Sequence, residues 1–321
     1  MINASGAGIA SRIMTADVIC ERECTANAEK ERENGMVKRK YRLKGHESFI
    51  LRDGWLTKGI QAVEKDSGVF SKNSGTDVLG VGTNMAKAIR YWMRTAGITK
   101  DVPQKGVQLT ELGQAIAKYD PYIEDVFTLW ILHCNIASNF EQATTWNLFF
   151  NKMDLTSAFD REEMYTMENR LIVSERSLRD DCTAVLAMYS GKDDPGNDPE
   201  DKNISPFEEL RLITRTGKNK FVKSRPMMNK LDSLVILFLI VDELNEKGSM
   251  QIDDTTDGDD MPGKLLNLNR VMVNDFMDDL QAKKYIIVNR TAGLDIIYPD
   301  QCKELDRVKI LEKHYERGIT S

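Results

Sequence analysis

Apolar residues recur at helical spacing through most of the chain, and the breaks in that pattern divide it. From Trp55 the pattern turns helical, with Leu56, Ile60, Ala62 and Val63 as core positions. The polar run Ser71–Gly75 interrupts it. Asp77–Leu79 reads as a short second helix ended by Gly80 and Gly82, and Thr83 or Asn84 caps a third that runs to about Ala96, where Gly97 stops it. Val107–Leu109 reads as a short strand, and Thr110 as the cap of the helix that follows. Helix, turn, helix, short strand and helix in that order is the grammar of a winged helix.

Beyond Pro121 the pattern is helical to about Tyr189. Val126, Leu129, Trp130, Leu132, His133 and Ile136 make a helix apolar almost all round, which predicts burial. Further helices are expected at 146–150, 161–173 and 177–189. Gly191–Asn203 is polar and acidic and reads as a linker or surface loop. A strongly apolar helix at 229–245, an amphipathic one at 271–284 and a hairpin formed by Tyr285–Val288 and Leu294–Tyr298 suggest a second winged helix, and a last helix spans 302–315. Residues 1–40 lack a sustained apolar period. The expected architecture is therefore mainly α with small β hairpins. It comprises an N-terminal arm (1–40), a winged-helix-like domain (41–118), a helical middle domain (119–192) and a second winged-helix-like domain (204–321).

Composition narrows the function. A chain of 321 residues with 41% hydrophobic residues can fill two or three cores. Its formal charge of −6 argues against wholesale wrapping of nucleic acid, so any DNA-facing surface has to be local. The five cysteines, Cys20, Cys24, Cys134, Cys182 and Cys302, are scattered, and the one close pair lacks the four ligands of a zinc site. They read as free thiols of a reducing compartment. The longest apolar run, Leu234–Val241, is eight residues, and the N-terminus carries no secretory pattern, so a cytoplasmic protein is expected.

The helix at 84–96 is the most informative element. At about 100° per residue, Met85, Ile89, Trp92 and Ala96 share one face, while Asn84, Lys87, Arg90, Tyr91 and Arg94 share the other. That second face has three cations and no carboxylate of its own, a pattern suited to phosphates and, through Asn and Arg, to base edges. The segment 42–58 adds Arg42, Lys44, His46, Arg52 and Lys58 against Glu47 and Asp53, with Phe49 and Trp55 as core anchors or stacking surfaces. His46 beside Glu47, with Asp53 near, could transfer protons or bind a metal, although the spacing is not diagnostic. His133 reads as a core histidine, His314 as plain surface, and Asp180-Asp181 as a solvated acidic pair, with binding of a divalent ion as its alternative. Gly80-Val81-Gly82 lacks the remaining residues of a phosphate loop.

Several blocks carry a family likeness. They are Lys44-Gly45-His46-Glu47-Ser48-Phe49, Leu51 to Gly59, Gly80 to Met85, Ile89-Arg90-Tyr91-Trp92, Leu109 to Gly113, Asp120 to Asp125, Thr128-Leu129-Trp130, Thr144-Thr145-Trp146 and Phe149-Phe150-Asn151. Together they resemble a bacterial family long described only as of unknown function, which includes the B component of the Ssp DNA phosphorothioation system. The likeness runs from about Arg42 to the C-terminus. It implies an anti-phage defence protein that nicks one DNA strand before sulfur replaces a phosphate oxygen. DNA and the ATPase, sulfotransferase-like and cysteine desulfurase components would be its partners, with no membrane involved.

The resemblance carries no catalytic residue. His46, Glu47 and Asp53 are thus the candidates for acid/base or metal roles in nicking, with magnesium or manganese as the expected ion. Lys44, Arg52, Lys58, Asn84, Lys87, Arg90 and Arg94 are the candidates for DNA contact. The alternative is a non-catalytic winged-helix adapter that recruits sulfur-transfer or ATPase partners to DNA. A sequence-specific transcription regulator would require a homodimer on a palindromic site, and no dimer helix is evident.

Overall fold

Trp55, Leu56, Gly59, Ile60, Ala62 and Val63 form the buried stripe of the first described helix, α1 (Trp55–Lys65). The computed structural model describes residues 40–320 apart from 72, 154–156, 170–174, 192–203 and 292. The N-terminal arm, the Cys20/Cys24 pair and most of the acidic linker lie outside the described residues. After α1 come the single turn α2 (Thr76–Leu79), α3 (Thr83–Thr95), a hairpin of β1 (Thr99–Val102) and β2 (Gly106–Leu109), and α4 (Glu111–Tyr119). The Thr110 side chain accepts from Gly113 N at 3.0 Å and donates to Gly97 O at 2.6 Å, so one hydroxyl both caps α4 and ties it to the end of α3. Gly113 permits this closeness: a Cβ there would stand 2.1 Å from Ile98 O.

The middle of the chain contributes α5 (Val126–Ala137), α6 (Thr144–Lys152), α7 (Arg161–Asn169) and α8 (Glu175–Ser190). As its pattern predicts, α5 is buried almost all round. Residues 204–230, which carry no clear period, form a 3-10 turn and a hairpin of β3 (Ile213–Gly217) and β4 (Lys220–Lys223), with a register shift between Arg215 and Gly217. The apolar helix α9 (Ser233–Lys247) starts four residues later than its pattern suggests, because the Asp232 carboxylate takes the Leu234 N–H and sets the cap there. There follow β5 (Met250–Gln251), α10 (Ile252–Asp257), α11 (Pro262–Leu265), α12 (Arg270–Ala282), the hairpin β6 (Ile286–Thr291) and β7 (Leu294–Pro299), and α13 (Arg307–Thr320). The last sheet has the order β5-β7-β6, all antiparallel.

Residues Tyr41–Ser321 cluster as one compact unit with a continuous apolar core, and α13 packs against both α4 and α9. Mainly α with small hairpins is thus the observed class. No helix among the described residues is long and apolar enough to cross a membrane. Cys134, Cys182 and Cys302 are buried free thiols.

His133 is the core histidine its setting predicts. Its Nε2 donates to Leu265 O at 2.8 Å, which leaves Nδ1 to accept from Tyr189 OH at 2.7 Å, and burial pushes its pKa down to about 4. His314 departs from expectation. Instead of lying at the surface, its ring stacks on Phe127 with centroids 3.8 Å apart. Nε2 lies 2.8 Å from Asp125 and Nδ1 3.6 Å from Asp232, the carboxylates that cap α5 and α9. Burial alone would lower its pKa, but the hydrogen bonds to the two carboxylates outweigh that and hold it at about 9. Burial likewise opposes ionisation of Asp232, yet His314 and the Leu234 N–H keep it at about 2.

These shifts fix a pH window. The His314 contribution to stability is fully present below its unfolded pKa of about 6.5 and is lost as pH rises through 9. The Asp232 contribution is present above about 4 and is lost as pH falls through 2. The difference in melting temperature between the wild type and His314→Gln should therefore be largest near pH 5–6 and shrink steadily towards pH 10. A difference that stays flat from pH 6 to 10 would contradict the charged bridge.

Candidate nucleic-acid interface

The exposed face of α3 is set by what its other side buries. Ala86, Ala88, Ile89, Trp92 and Met93 enter the core and leave Asn84, Lys87, Arg90 and Arg94 exposed. Tyr91, expected among those cations, is buried instead. Its ring packs edge-on to Trp92, and its hydroxyl donates to Gln142 O at 2.7 Å in the α5–α6 connection. Both α1 and that connection flank α3, so the buried arc is wider than a single stripe. Burial and the nearby Asp181 charge push the Tyr91 pKa upward, so the phenol stays protonated.

The β1–β2 hairpin follows α3 directly and adds exposed Lys100 and Lys105. It also adds a carboxylate. Asp101 accepts from Arg90 Nη2 at 2.7 Å and from Arg94 Nη1 at 3.1 Å. The helix considered alone has no acid on this face, yet the strand returns one to it. The pairs are exposed, so each stabilises the fold by only about 0–1 kcal/mol, but they hold both guanidinium groups in place. Lys87 stands 3.9 Å from Glu47, and Lys58 projects exposed from α1.

The segment before α1 is folded around an inward-facing histidine. Lys44, Glu47 and Ser48 all have left-handed backbone (φ 56°, 51° and 69°), and Glu47 N and Phe49 N close tight turns onto Lys44 O and His46 O. A Cβ at Gly45 would lie 2.3 Å from the Tyr91 ring. This winding sends neighbouring side chains opposite ways. His46 is fully buried, stacked on Trp92 and edge-on to Trp146, with Nε2 2.9 Å from Asp181 Oδ1. Glu47 remains exposed beside Lys87. Asp53 is exposed too, beside a shallow cleft lined by Arg52, Thr57, Tyr122 and Ile123. The structure therefore brings His46 to Asp181 and not to Glu47 or Asp53. Trp55 is buried and Phe49 half-buried, with the Arg52 guanidinium 5.2 and 5.5 Å from their rings. Lys44 pairs with Asp180 at 2.7 Å.

Asp181, expected to be solvated, is the polar centre of this region. It is buried and accepts from Lys44 N at 3.0 and 3.2 Å and from Thr145 Oγ1 at 3.0 Å, besides its contact with His46. Glu168 of α7 is fully buried with no hydrogen-bond partner among the described residues, and burial together with the Asp181 charge raises its pKa well above the carboxylate range. A sequence signal for Asp181 exists: it lies on the stripe Leu178, Cys182, Val185 and Tyr189 that α8 buries. As donors for a divalent ion, His46 and Asp181 fall short, and among the described residues no three His, Cys, Asp or Glu side chains stand together as a metal would require. Asp181→Ala should cost roughly 2–5 kcal/mol in urea unfolding, because it strands three buried donors from two distant segments. A change within about 0.5 kcal/mol would mean a solvated aspartate.

Known proteins place this geometry. Two crystal structures share the fold. One is of magnesium ion-bound SspB, with a TM-score of 0.74 and 21% identity, covering 85% of this chain and 88% of that one. The other, of SspB, has a TM-score of 0.73 with the same identity and coverage. No curated protein matches the sequence. The family model described as "Protein of unknown function (DUF4007)" matches residues 43–315, from the buried-histidine turn through α3 and its hairpin to α13. On that span, the chain belongs to the DUF4007 family.

Proposed function

We propose that this chain is the DNA-engaging subunit of a bacterial phosphorothioation system, in the manner suggested by its SspB-like fold. In this reading α1, α2, α3 and the β1–β2 hairpin act as a winged-helix-like unit. The observation that carries it is the row Asn84, Lys87, Arg90 and Arg94 along the exposed face of α3, continued by Lys100 and Lys105 on the adjoining hairpin. A helix offering Asn and Arg beside a basic hairpin suits a major groove flanked by phosphates. Lys58 on α1, with Lys44 and Arg52 before it, would extend the backbone contact. Partners for ATP hydrolysis and sulfur transfer would dock on other surfaces, in the cytoplasm where the DNA is.

Nicking is a second reading, favoured by the magnesium ion in the related SspB structure. The burial of His46 behind Tyr91 and Trp92 supports a positioning role for it, since a general base must reach the proton it removes. In that view it supports the turn on which α3 rests, and any cleavage chemistry belongs to other groups.

A duplex-binding titration combined with a supercoiled-plasmid assay, with and without magnesium or manganese, separates the readings. Wild-type protein should bind duplex in a salt-sensitive way. Substituting Ala for Lys87, Arg90 and Arg94 should flatten the log–log salt slope by about 2.7, at about 0.9 per phosphate contact. Salt-independent binding, or a slope unchanged in the variant, would refute α3 as the interface. Metal-dependent open circles from highly purified protein would establish the nickase, whereas binding without open circles would leave an adapter.

A further inference from the structure

The hairpin β3–β4 and its flanks carry the chain's most one-sided charge. Between Arg211 and Lys230 there are seven cations and no carboxylate, in a protein whose net charge is −6. Four of the seven have structural work. Lys220 pairs with Asp160 and Glu163 at 3.1 and 2.9 Å, and Lys230 approaches Glu209 at 3.5 Å. Buried Lys223 donates to the carbonyls of Phe150 and Met153, both at 3.0 Å, closing the end of α6. Arg215 lies over the Phe221 ring and reaches Gly191 O. The other three, Arg211, Lys218 and Arg225, are exposed, and no described side chain pairs with them.

Their placement is ordered. The bond from Ser224 N to Leu212 O at 2.9 Å continues the β3–β4 ladder by one rung, so Arg211 and Arg225 stand at its open end and Lys218 at its turn. Fully buried Asn267 donates to both Leu212 O and Ser224 O, at 3.0 and 2.9 Å, and pins that end to the core. Arg211 holds a left-handed backbone (φ 53°), which costs a non-glycine residue roughly 1–2 kcal/mol. Two like charges at one end of a ladder also repel. An ordinary solvated hairpin would relieve both terms with a glycine and an interspersed acid. Exposed Thr214 and Thr216 lie between the arginine end and the turn, where the Thr214 hydroxyl accepts from Ser224 Oγ at 2.7 Å and the Thr216 hydroxyl donates to Lys220 O at 3.4 Å.

We infer that this hairpin is a second contact for the sugar–phosphate backbone of duplex DNA, separate from the α3 surface and indifferent to base sequence. Arginine suits it because its planar fork takes phosphate oxygens bidentately. The seven residue steps from Arg211 to Lys218 span roughly 20 Å, about the rise of six nucleotides on one strand. The inference rests on the DNA-binding reading above but on different residues.

The test is fluorescence anisotropy of two unrelated 30-bp duplexes from 50 to 200 mM KCl. The proteins are the full-length wild type, the triple variant Arg211→Ala with Lys218→Ala and Arg225→Ala, the charge-keeping variant Arg211→Lys with Lys218→Arg and Arg225→Lys, and the α3 triple alanine variant. The hairpin alanine variant should lose about 2.7 from the salt slope, equally on both duplexes, with an unchanged melting temperature. The charge-keeping variant should retain most of the slope. An unchanged slope in the hairpin alanine variant, while the α3 variant loses affinity, would overturn this inference and leave the α3 surface standing. Failure of the wild type to bind either duplex at 50 mM KCl would overturn both.

Discussion

One buried carboxylate holds the turn before α1, the helix α6 and, through them, the helix α3 in register. Asp181 is out of water, and a carboxylate so placed is tolerable only if donors surround it. The donors come from two other segments distant in sequence: the Lys44 amide and the His46 ring from the strained turn, and the Thr145 hydroxyl from α6. Once that turn is fixed, Phe49 O is in place to accept from Trp92 Nε1 at 3.0 Å, in the middle of α3. The direction in which Lys87, Arg90 and Arg94 face solvent is thus determined from within. The left-handed residues Lys44, Glu47 and Ser48 are the local expense of the arrangement, and strain of this kind persists only where its surroundings over-determine it.

The same device recurs across the molecule. His314 joins the caps of α5 and α9, Lys223 closes α6 from the β3–β4 hairpin, and Asn151 and Asn147 both donate to Asp260, more than a hundred residues away. Buried apolar surface supplies most of the stability but has no direction. Polar ties of this kind are directional, since a stranded partner costs more than the bond contributes. They make one arrangement of many similar helices the favoured one.

What the sequence made legible followed from local rules. The extent of α3, the Thr110 cap and the terminal hairpin were each readable because glycine, a capping hydroxyl or two short Ile-rich runs flanking a polar, glycine-containing turn lay within a few residues. The unreadable parts depended on distant partners. Asp101 returns to α3 from the next strand, and His314 sits among Lys313, Glu316 and Arg317, which suggest solvent, while its acids lie at 125 and 232. The β3–β4 hairpin escaped because Thr-Arg-Thr-Gly-Lys-Asn-Lys has no apolar alternation and its bulge breaks what register there is. Among the catalytic candidates, adjacency in sequence does not translate into adjacency in space: His46 is buried and Glu47 exposed on a tight turn with left-handed residues, so the two side chains do not meet.

The net charge bears on how such a protein would engage DNA. At −6 its overall field repels a polyanion, so attraction has to come from small surfaces at short range, within a Debye length of roughly 8–10 Å. On the α3 surface, moreover, Asp101 already occupies part of two guanidinium forks and competes with any phosphate for them. Both features lower indiscriminate affinity while leaving a fully matched contact intact, because an exposed ion pair is weakly held and yields to a better partner. If the proposed DNA-engaging role holds, weak attraction at a distance and competition at contact would suit a protein that selects sites rather than coats the duplex. A uniformly basic protein would hold every site and distinguish none.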